Sequence, residues 1–392
     1  MSLYEILKEA ERNDENKLKV FSEFIAHKTV KNRILYSAIL ELTPICNFNC
    51  HVCYIRMSEE EVKNSGKKIM RFDQWKYYID GLCDLGLSSF TLTGGECTLH
   101  PDFAKIYEYI YDKGKQIVMI TNGSAITDNI INLLVKKPPS KLCITLYGAS
   151  EKTYEKFCKN GAAYHKVFEN IEKLTSKKIY PIFNYTCSQY NIDDLEKVVA
   201  YAKKKHLQIR PSWELISYNK CTDEIISKYQ VDEKQYSQVA DKIWGVDKST
   251  DSDIENIENF NFSKVLDDSK IITKGISCDA ARNHCSINWE GKMKSCVALD
   301  VFTVDSHKVG GVKEAWHKLV EWADNVPLLV ECQKCIFRKR CSSCIAKHYN
   351  DTHQFGKPSP RLCFKVLHPE EAAKMQAEYD RQQAEKSEET NI

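Results

Sequence analysis

TPICNFNCHVCY, residues 43–54, is the stretch on which the reading of this chain turns. It places Cys46, Cys50 and Cys53 in a C-x3-C-x2-C spacing directly after the apolar run SAILELT, residues 37–43. Three thiolates this close can hold three corners of a [4Fe–4S] cubane, which normally takes four Cys. The missing fourth leaves one iron open to a small molecule, much as a catalytic metal keeps an open position. Zinc or a plain reduced loop is the competing reading, and no further cysteine stands nearby in sequence to complete a tetrahedral site.

Outward from that loop, from about residue 38 to 215, short apolar runs alternate with helical periods. The runs are SSFTLTGG, QIVMITNG, KLCITLYG, PIFNYTCS and LQIRPSWELI, and segments such as RFDQWKYYIDGLCDLG and DFAKIYEYIYDKG lie between them. That alternation predicts βαβ units and a parallel sheet. Six repeats predict an α/β fold, a partial (β/α)6 barrel, although a doubly wound sheet reads similarly. In both, the site belongs to loops at the strands' C-terminal ends. The expected organisation is an N-terminal helical segment over 1–37, the barrel over 38–220 and a bridging segment over 221–276. A cysteine-rich domain over 277–367 and a charged tail over 368–392 complete it.

The bulk numbers narrow the class. A hydrophobic fraction of 43% and a charged fraction of 28% suit a globular protein of 392 residues. A net charge of +2 argues against nucleic acid or an anionic membrane as partner. The polar N-terminus does not read as a signal peptide and no apolar run approaches a membrane span, so the expected location is cytoplasmic. Seventeen cysteines in a reducing compartment point to metal rather than disulfides. Eight of them fall between Cys278 and Cys363, whereas Cys83, Cys97, Cys143, Cys158, Cys187 and Cys221 are scattered and read as small buried hydrophobes.

The triad resembles the signature of the radical S-adenosylmethionine (SAM) superfamily. The resemblance implies that SAM chelates the open iron and is cleaved to a 5′-deoxyadenosyl radical that takes hydrogen from substrate. Gly94-Gly95-Glu96 after the second run is similar to the family's GGE motif, which receives the SAM amino group. Glycines allow close backbone approach, and a carboxylate pairs with an ammonium. Thr145 begins TLYGAS, residues 145–150, similar to a family segment whose hydroxyl meets the SAM ribose. Asn122 and Asn191 are candidates for the same pocket, with turn capping as the plainer reading of all these strand-end polar residues.

The C-terminal set reads Cys278-x12-Gly291-x4-Cys296, then Cys332-x2-Cys335-x5-Cys341-x2-Cys344, then Cys363. It resembles the SPASM extension of radical SAM enzymes, which holds two auxiliary [4Fe–4S] clusters, three with the first. The family spacing has three residues before the sixth cysteine where this chain has two, Ser342 and Ser343. The family's connectivity implies Cys278, Cys285, Cys296 and Cys344 for one auxiliary cluster and Cys332, Cys335, Cys341 and Cys363 for the other. A zinc ribbon is the alternative.

The resemblance implies a peptide or protein substrate, with an intramolecular crosslink in a ribosomally made peptide as the leading reaction. A sugar or amino-sugar dehydrogenase is the alternative enzyme, and a non-catalytic zinc or iron–sulfur protein the alternative of another class. A separate leader-recognition protein and a reductant such as flavodoxin or ferredoxin are the implied partners. Sulfatase maturation is disfavoured, because the family's Asp base is replaced by Val297 after Cys296. Tyr54, Trp213, Glu214 and Asp300 fall near site-facing loops, and each reads first as structural.

Overall fold

The computed structural model describes residue 25 and residues 28–213, 215–216, 218–244, 275–276, 278–333, 335–337 and 344–389. Residues 1–24 of the helical segment expected over 1–37, the acidic stretch 248–261, Glu214 and Cys341 lie outside the described residues. Two compact units divide the chain, one drawn from Met1–Val231 and Cys278–Asp324, the other from Asp232–Ser277 and Asn325–Ile392.

Six strands of the first unit follow the expected runs: β1 (Ser37–Glu41), β2 (Ser89–Thr93), β3 (Gln116–Thr121), β4 (Lys141–Leu146), β5 (Ile182–Thr186) and β6 (Ile209–Ser212). They pair in sequence order and all in parallel. A parallel crossover is right-handed in nearly every known case, so an unreversed order sends every connecting helix to the same face. Burial agrees. Ala38, Leu40, Phe90, Leu92, Ile117, Met119, Ile144 and Phe183 on one face are essentially fully buried. Ile39, Thr91, Thr93, Val118, Ile120, Thr145 and Asn184 alternate with them on the other face and are only half-buried. The covering helices carry the 3.6-residue period, as in Phe72–Asp84, which buries Trp75, Tyr78, Ile79 and Leu82. The sheet is thus packed outside and bare inside, where a closed eight-stranded barrel fills its interior with side chains.

The sheet does not stop at β1. A seventh strand, β7 (His284–Ile287), pairs with β1 in parallel, and β8 (Lys292–Cys296) and β9 (Leu299–Asp305) follow antiparallel. The order is β6-β5-β4-β3-β2-β1-β7-β8-β9. Residues expected to open the cysteine-rich domain at 277 therefore extend the barrel's own sheet. The physical reason is a tight hairpin: Gly291 takes φ +84° and packs against Tyr78, whose hydroxyl donates to the Gly291 carbonyl at 2.6 Å.

The second unit is built from short helices, among them Val330–Gln333, Ile345–Thr352 and Phe364–Leu367, and the longer Pro369–Glu389. Its core gathers Ile336, Phe337, Phe364, Ala372 and Met375, with Cys335 and Tyr379 packed against it. The charged tail is therefore helical, and its first turns contribute apolar side chains. Among the described residues, no helix is long and apolar enough to cross a membrane.

Candidate active site at the strand ends

Glu41 and Thr93 are register partners at the ends of β1 and β2, and the loops that follow are bonded to each other. Gly95 N–H donates to the Thr43 carbonyl at 2.7 Å and Glu96 N–H to the Ile45 carbonyl at 2.9 Å. A Cβ on Gly94 would lie 2.4 Å from the Thr43 oxygen, and one on Gly95 2.5 Å from the Ile45 oxygen. Glycine is required at both positions because two backbones meet there. The GGE motif thus first serves to seat the cysteine loop.

On its other side, that loop is bonded to the end of the helix Glu151–Cys158. Asn49 N–H donates to the Cys158 carbonyl at 2.8 Å and His51 N–H to the Phe157 carbonyl at 3.3 Å. Phe48 is buried against Tyr147 and Tyr154, with ring centroids 5.5 and 6.4 Å away. The sulfurs meet donors. Phe48 N–H reaches Cys46 Sγ at 3.4 Å, Arg56 N–H reaches Cys53 Sγ at 3.3 Å, and Asn122 Nδ2 approaches Cys46 Sγ at 3.7 Å. Burial pushes the Cys46 thiol up to about 12, and a hydrogen bond with Cys158, together with burial, holds Cys50 well above the ordinary thiol range. A coordinated cation reverses that cost, because a coordinating thiol is deprotonated outright. Half-buried thiols on one short loop, with amide donors aimed at sulfur, fit an iron–sulfur cluster. Among the described residues, no group of three or more His, Cys, Asp or Glu side chains is arranged to hold a single metal ion.

Glu96 is buried and well supplied with donors. Its Oε1 accepts from Thr98 N–H, Thr98 Oγ1 and Thr121 Oγ1 at 3.2, 2.6 and 2.7 Å, and Oε2 accepts from Asn122 N–H at 2.7 Å. Burial raises its pKa and these hydrogen bonds oppose the rise. With one bond on Oε2, a lone pair remains for an ammonium. Asn122 braces the cysteine loop: Nδ2 donates to Asn47 Oδ1 at 2.9 Å, and Oδ1 accepts from Ser124 N–H and Oγ. Thr145 is half-buried near the end of β4, on the inner face beside Asn184. Asn191 departs from expectation. Its Oδ1 accepts from Ser188 N–H and Oγ, and its Nδ2 donates to the Tyr147 and Thr186 carbonyls. All four of its hydrogen-bonding positions are used, so it shapes its loop and has nothing left for a ribose.

Of the C-terminal cysteines in the first unit, Cys296 ends β8, near Tyr54, whose phenol is held well above its ordinary range chiefly by burial, with Glu41, Cys53 and Cys296 adding to the rise. Cys278 is exposed. Cys285, expected as a ligand, is fully buried in β7 opposite Ala38, and burial pushes its thiol up to about 12. Strand alternation puts it on the helix-covered face, away from its neighbour Ser286. That is the position of a core residue. In the second unit Cys332 lies in Val330–Gln333, and Cys344 and Cys363 stand at the first positions before helices. Among the scattered thiols, Cys97, Cys143, Cys158, Cys187 and Cys221 are buried as expected, and Cys83 is half-buried. Half-buried Tyr54 and exposed Asp300 join the buried Glu41 and Lys294 in one network. Glu41 offered only a lone acid in an apolar strand as its signal, and Lys294 a lysine in an alternating run that reads as solvent-facing.

Comparison with known proteins bears on the same residues. An AdoMet-dependent heme synthase of Methanosarcina barkeri is 22% identical over 343 residues, 83% of this chain and 95% of that protein. The antilisterial bacteriocin subtilosin biosynthesis protein AlbA of Bacillus subtilis is 27% identical over 144 residues, 36% of this chain and 31% of AlbA. Among solved structures, Streptococcus suis SuiB superposes with a TM-score of 0.60 at 13% identity, covering 87% of this chain and 81% of SuiB. At that identity the likeness concerns the fold. Residues 40–202 match the model of the Radical SAM superfamily. The match contains the cysteine loop, the GGE turn, the end of β1 and the strands β2 to β5, so residues 40–202 form a radical SAM domain.

Proposed function

We propose that this radical SAM enzyme is an oxidative peptide maturase that forms an intramolecular crosslink in a ribosomally made peptide. The observation that carries the reading is the bare inner face of the sheet. Ile39, Thr91, Thr93, Val118, Ile120 and Asn184 are left half-buried there, enough open surface for an extended substrate beside a cofactor. SuiB, which shares the fold, has a structure bound to its precursor peptide SuiA, and AlbA and the sporulation killing factor maturation protein SkfB serve peptide products.

In this reading Cys46, Cys50 and Cys53 hold the cluster that, with SAM, supplies a hydrogen-abstracting radical. Glu96 holds the SAM ammonium through Oε2, and Thr145 faces the ribose. Cys332, Cys335, Cys341 and Cys363 serve a fully ligated auxiliary cluster, and Cys278 and Cys296 belong to a second. A fully ligated auxiliary cluster has the role of accepting the electron left after substrate oxidation. A leader-recognition protein and a flavodoxin or ferredoxin are the partners. Modification of a small molecule is the second reading, because the heme synthase match runs over 95% of that protein.

Anaerobic reconstitution, iron counting and a 5′-deoxyadenosine assay test the proposal. About twelve irons per chain correspond to three cubanes. Presented with short peptides encoded beside its gene, the enzyme should release 5′-deoxyadenosine and return a peptide lighter by two hydrogens. Turnover of tetrapyrroles or sugars with no change in any peptide would favour the second reading.

A further inference from the structure

Two buried ions stand on the inner face next to the cysteine loop. Glu41 at the end of β1 is 1% exposed and Lys294 in β8 is 3% exposed. Lys294 Nζ lies 3.4 Å from Glu41 Oε2 and 3.0 Å from Asp300 Oδ1. The Val297 carbonyl at 3.1 Å and the Tyr218 hydroxyl at 3.4 Å also accept from the ammonium. Tyr54 donates to Glu41 Oε1 at 3.4 Å and packs on Tyr218, with centroids 5.4 Å apart. Desolvating such a pair costs several kcal/mol per ion, and well-packed apolar residues of similar volume often serve stability as well. The neighbouring inner-face positions carry Ile39, Thr91 and Thr93, so the strand itself does not require a charge. Position offers the explanation. Tyr54 directly follows Cys53, and Lys294 is two residues from Cys296.

We propose that Glu41 and Lys294 are positioning residues for the radical SAM cluster. The pair ties Tyr54, and with it Cys53, to the β8 hairpin. Its charge balance sets the potential at which a cluster on Cys46, Cys50 and Cys53 accepts its electron. The inference rests on the radical SAM assignment and is independent of whether the substrate is a peptide. Reduction adds negative charge, so Lys294 favours it and Glu41 opposes it. Asp300 is 43% exposed and is partly screened by water. Glu41 is the buried countercharge.

The test is a redox titration of the reconstituted full chain followed by electron paramagnetic resonance. The change of spectrum on adding SAM identifies the cluster of interest. E41Q should raise its midpoint potential, K294M should lower it, and E41Q/K294M should return towards wild type. K294R, which keeps the charge, should restore both the midpoint and SAM cleavage. Shifts of E41Q and K294M in the same direction, or an unmoved midpoint in both, would overturn the inference. Should K294M fail to fold, E41Q decides alone, because there Lys294 keeps Asp300, and no upward shift would refute the proposal. A wild-type enzyme without any SAM-responsive signal would sink the radical SAM reading, and this inference with it.

Discussion

Cys46, Cys50 and Cys53 ride on a loop bonded on both sides, to the end of β2 through Gly95 and Glu96 and to the helix Glu151–Cys158 through Asn49 and His51. Cys332, Cys344 and Cys363 instead lie in, or at the start of, helices of four to eight residues, around a core of five buried side chains. Helices that short are not stable alone, because nucleation costs more than so few hydrogen bonds return. The first region holds its thiols in place by strand ends and glycine contacts that exist without metal. The second carries its thiols on such helices, so the cluster ligation proposed for it would couple binding to folding. In the proposed reading, one chain contains a cluster site seated by the sheet and a cysteine region whose folding depends on its clusters.

The sharpest break of that contrast is removal of the first set. Replacing Cys46, Cys50 and Cys53 together with Ala should abolish 5′-deoxyadenosine formation entirely and leave the first unit's thermal unfolding nearly unchanged. Surviving SAM cleavage would remove these thiols from the cluster. Replacing Cys332, Cys335 and Cys363 should do the reverse to the structure. The C-terminal unit's transition should fall by roughly 10 °C or more, since several kcal/mol of ligation is lost from a small unit. A calorimetric profile identical to wild type would mean that these cysteines bind nothing.

A smaller effect tests the pre-built character of the first site. Glu96→Gln keeps the size of the side chain but removes the charge offered through Oε2. SAM affinity should drop about 10- to 100-fold, the ~1.5–3 kcal/mol of a charged hydrogen bond. Isothermal titration against the cluster-loaded protein measures it, with unfolding monitored separately because Thr98, Thr121 and Asn122 all donate to Glu96. Affinity equal to wild type would take Glu96 out of the SAM pocket.

The two regions were also unequally legible. Six strands could be read because period-2 runs separated by helical periods have few other solutions, and the triad could be read because its spacing carries its chemistry. What the triad leans on was not visible. Asn47 of the loop itself, Thr121 and Ser124 at the end of β3, and Cys158 at a helix end come from three separate segments, brought together by register that no local pattern encodes. The strands β7 to β9 were hidden for another reason. In CSINWEGKMKSC, residues 285–296, the cysteine spacing drew attention from a hairpin whose turn glycine and alternating Lys-Met-Lys are ordinary strand signals. Asn191 shows the limit of polarity as a guide, since a buried asparagine can spend every hydrogen bond on its own loop.

Cys285 is where the two regions meet in one residue, and it gives the finest test. As a ligand it would behave like Cys332, and as a core residue like Cys143 or Cys187. Its strand neighbours decide the expectation. Cys285 pairs with Ala38, and Ile287 two positions on pairs with Leu40. All four are buried on the helix-covered face, and a thiol there behaves as a small hydrophobe. Cys285→Ala should therefore cost about 1 kcal/mol, the loss of one buried atom's contacts and the small void it leaves, and should leave the iron content and the cluster spectra as in wild type. Loss of about four irons would show instead that β7 opens to let Cys285 bind a cluster. In that case the first unit, like the second, would depend on metal for part of its sheet, and the division between the two kinds of site would move from the domain boundary into the barrel itself.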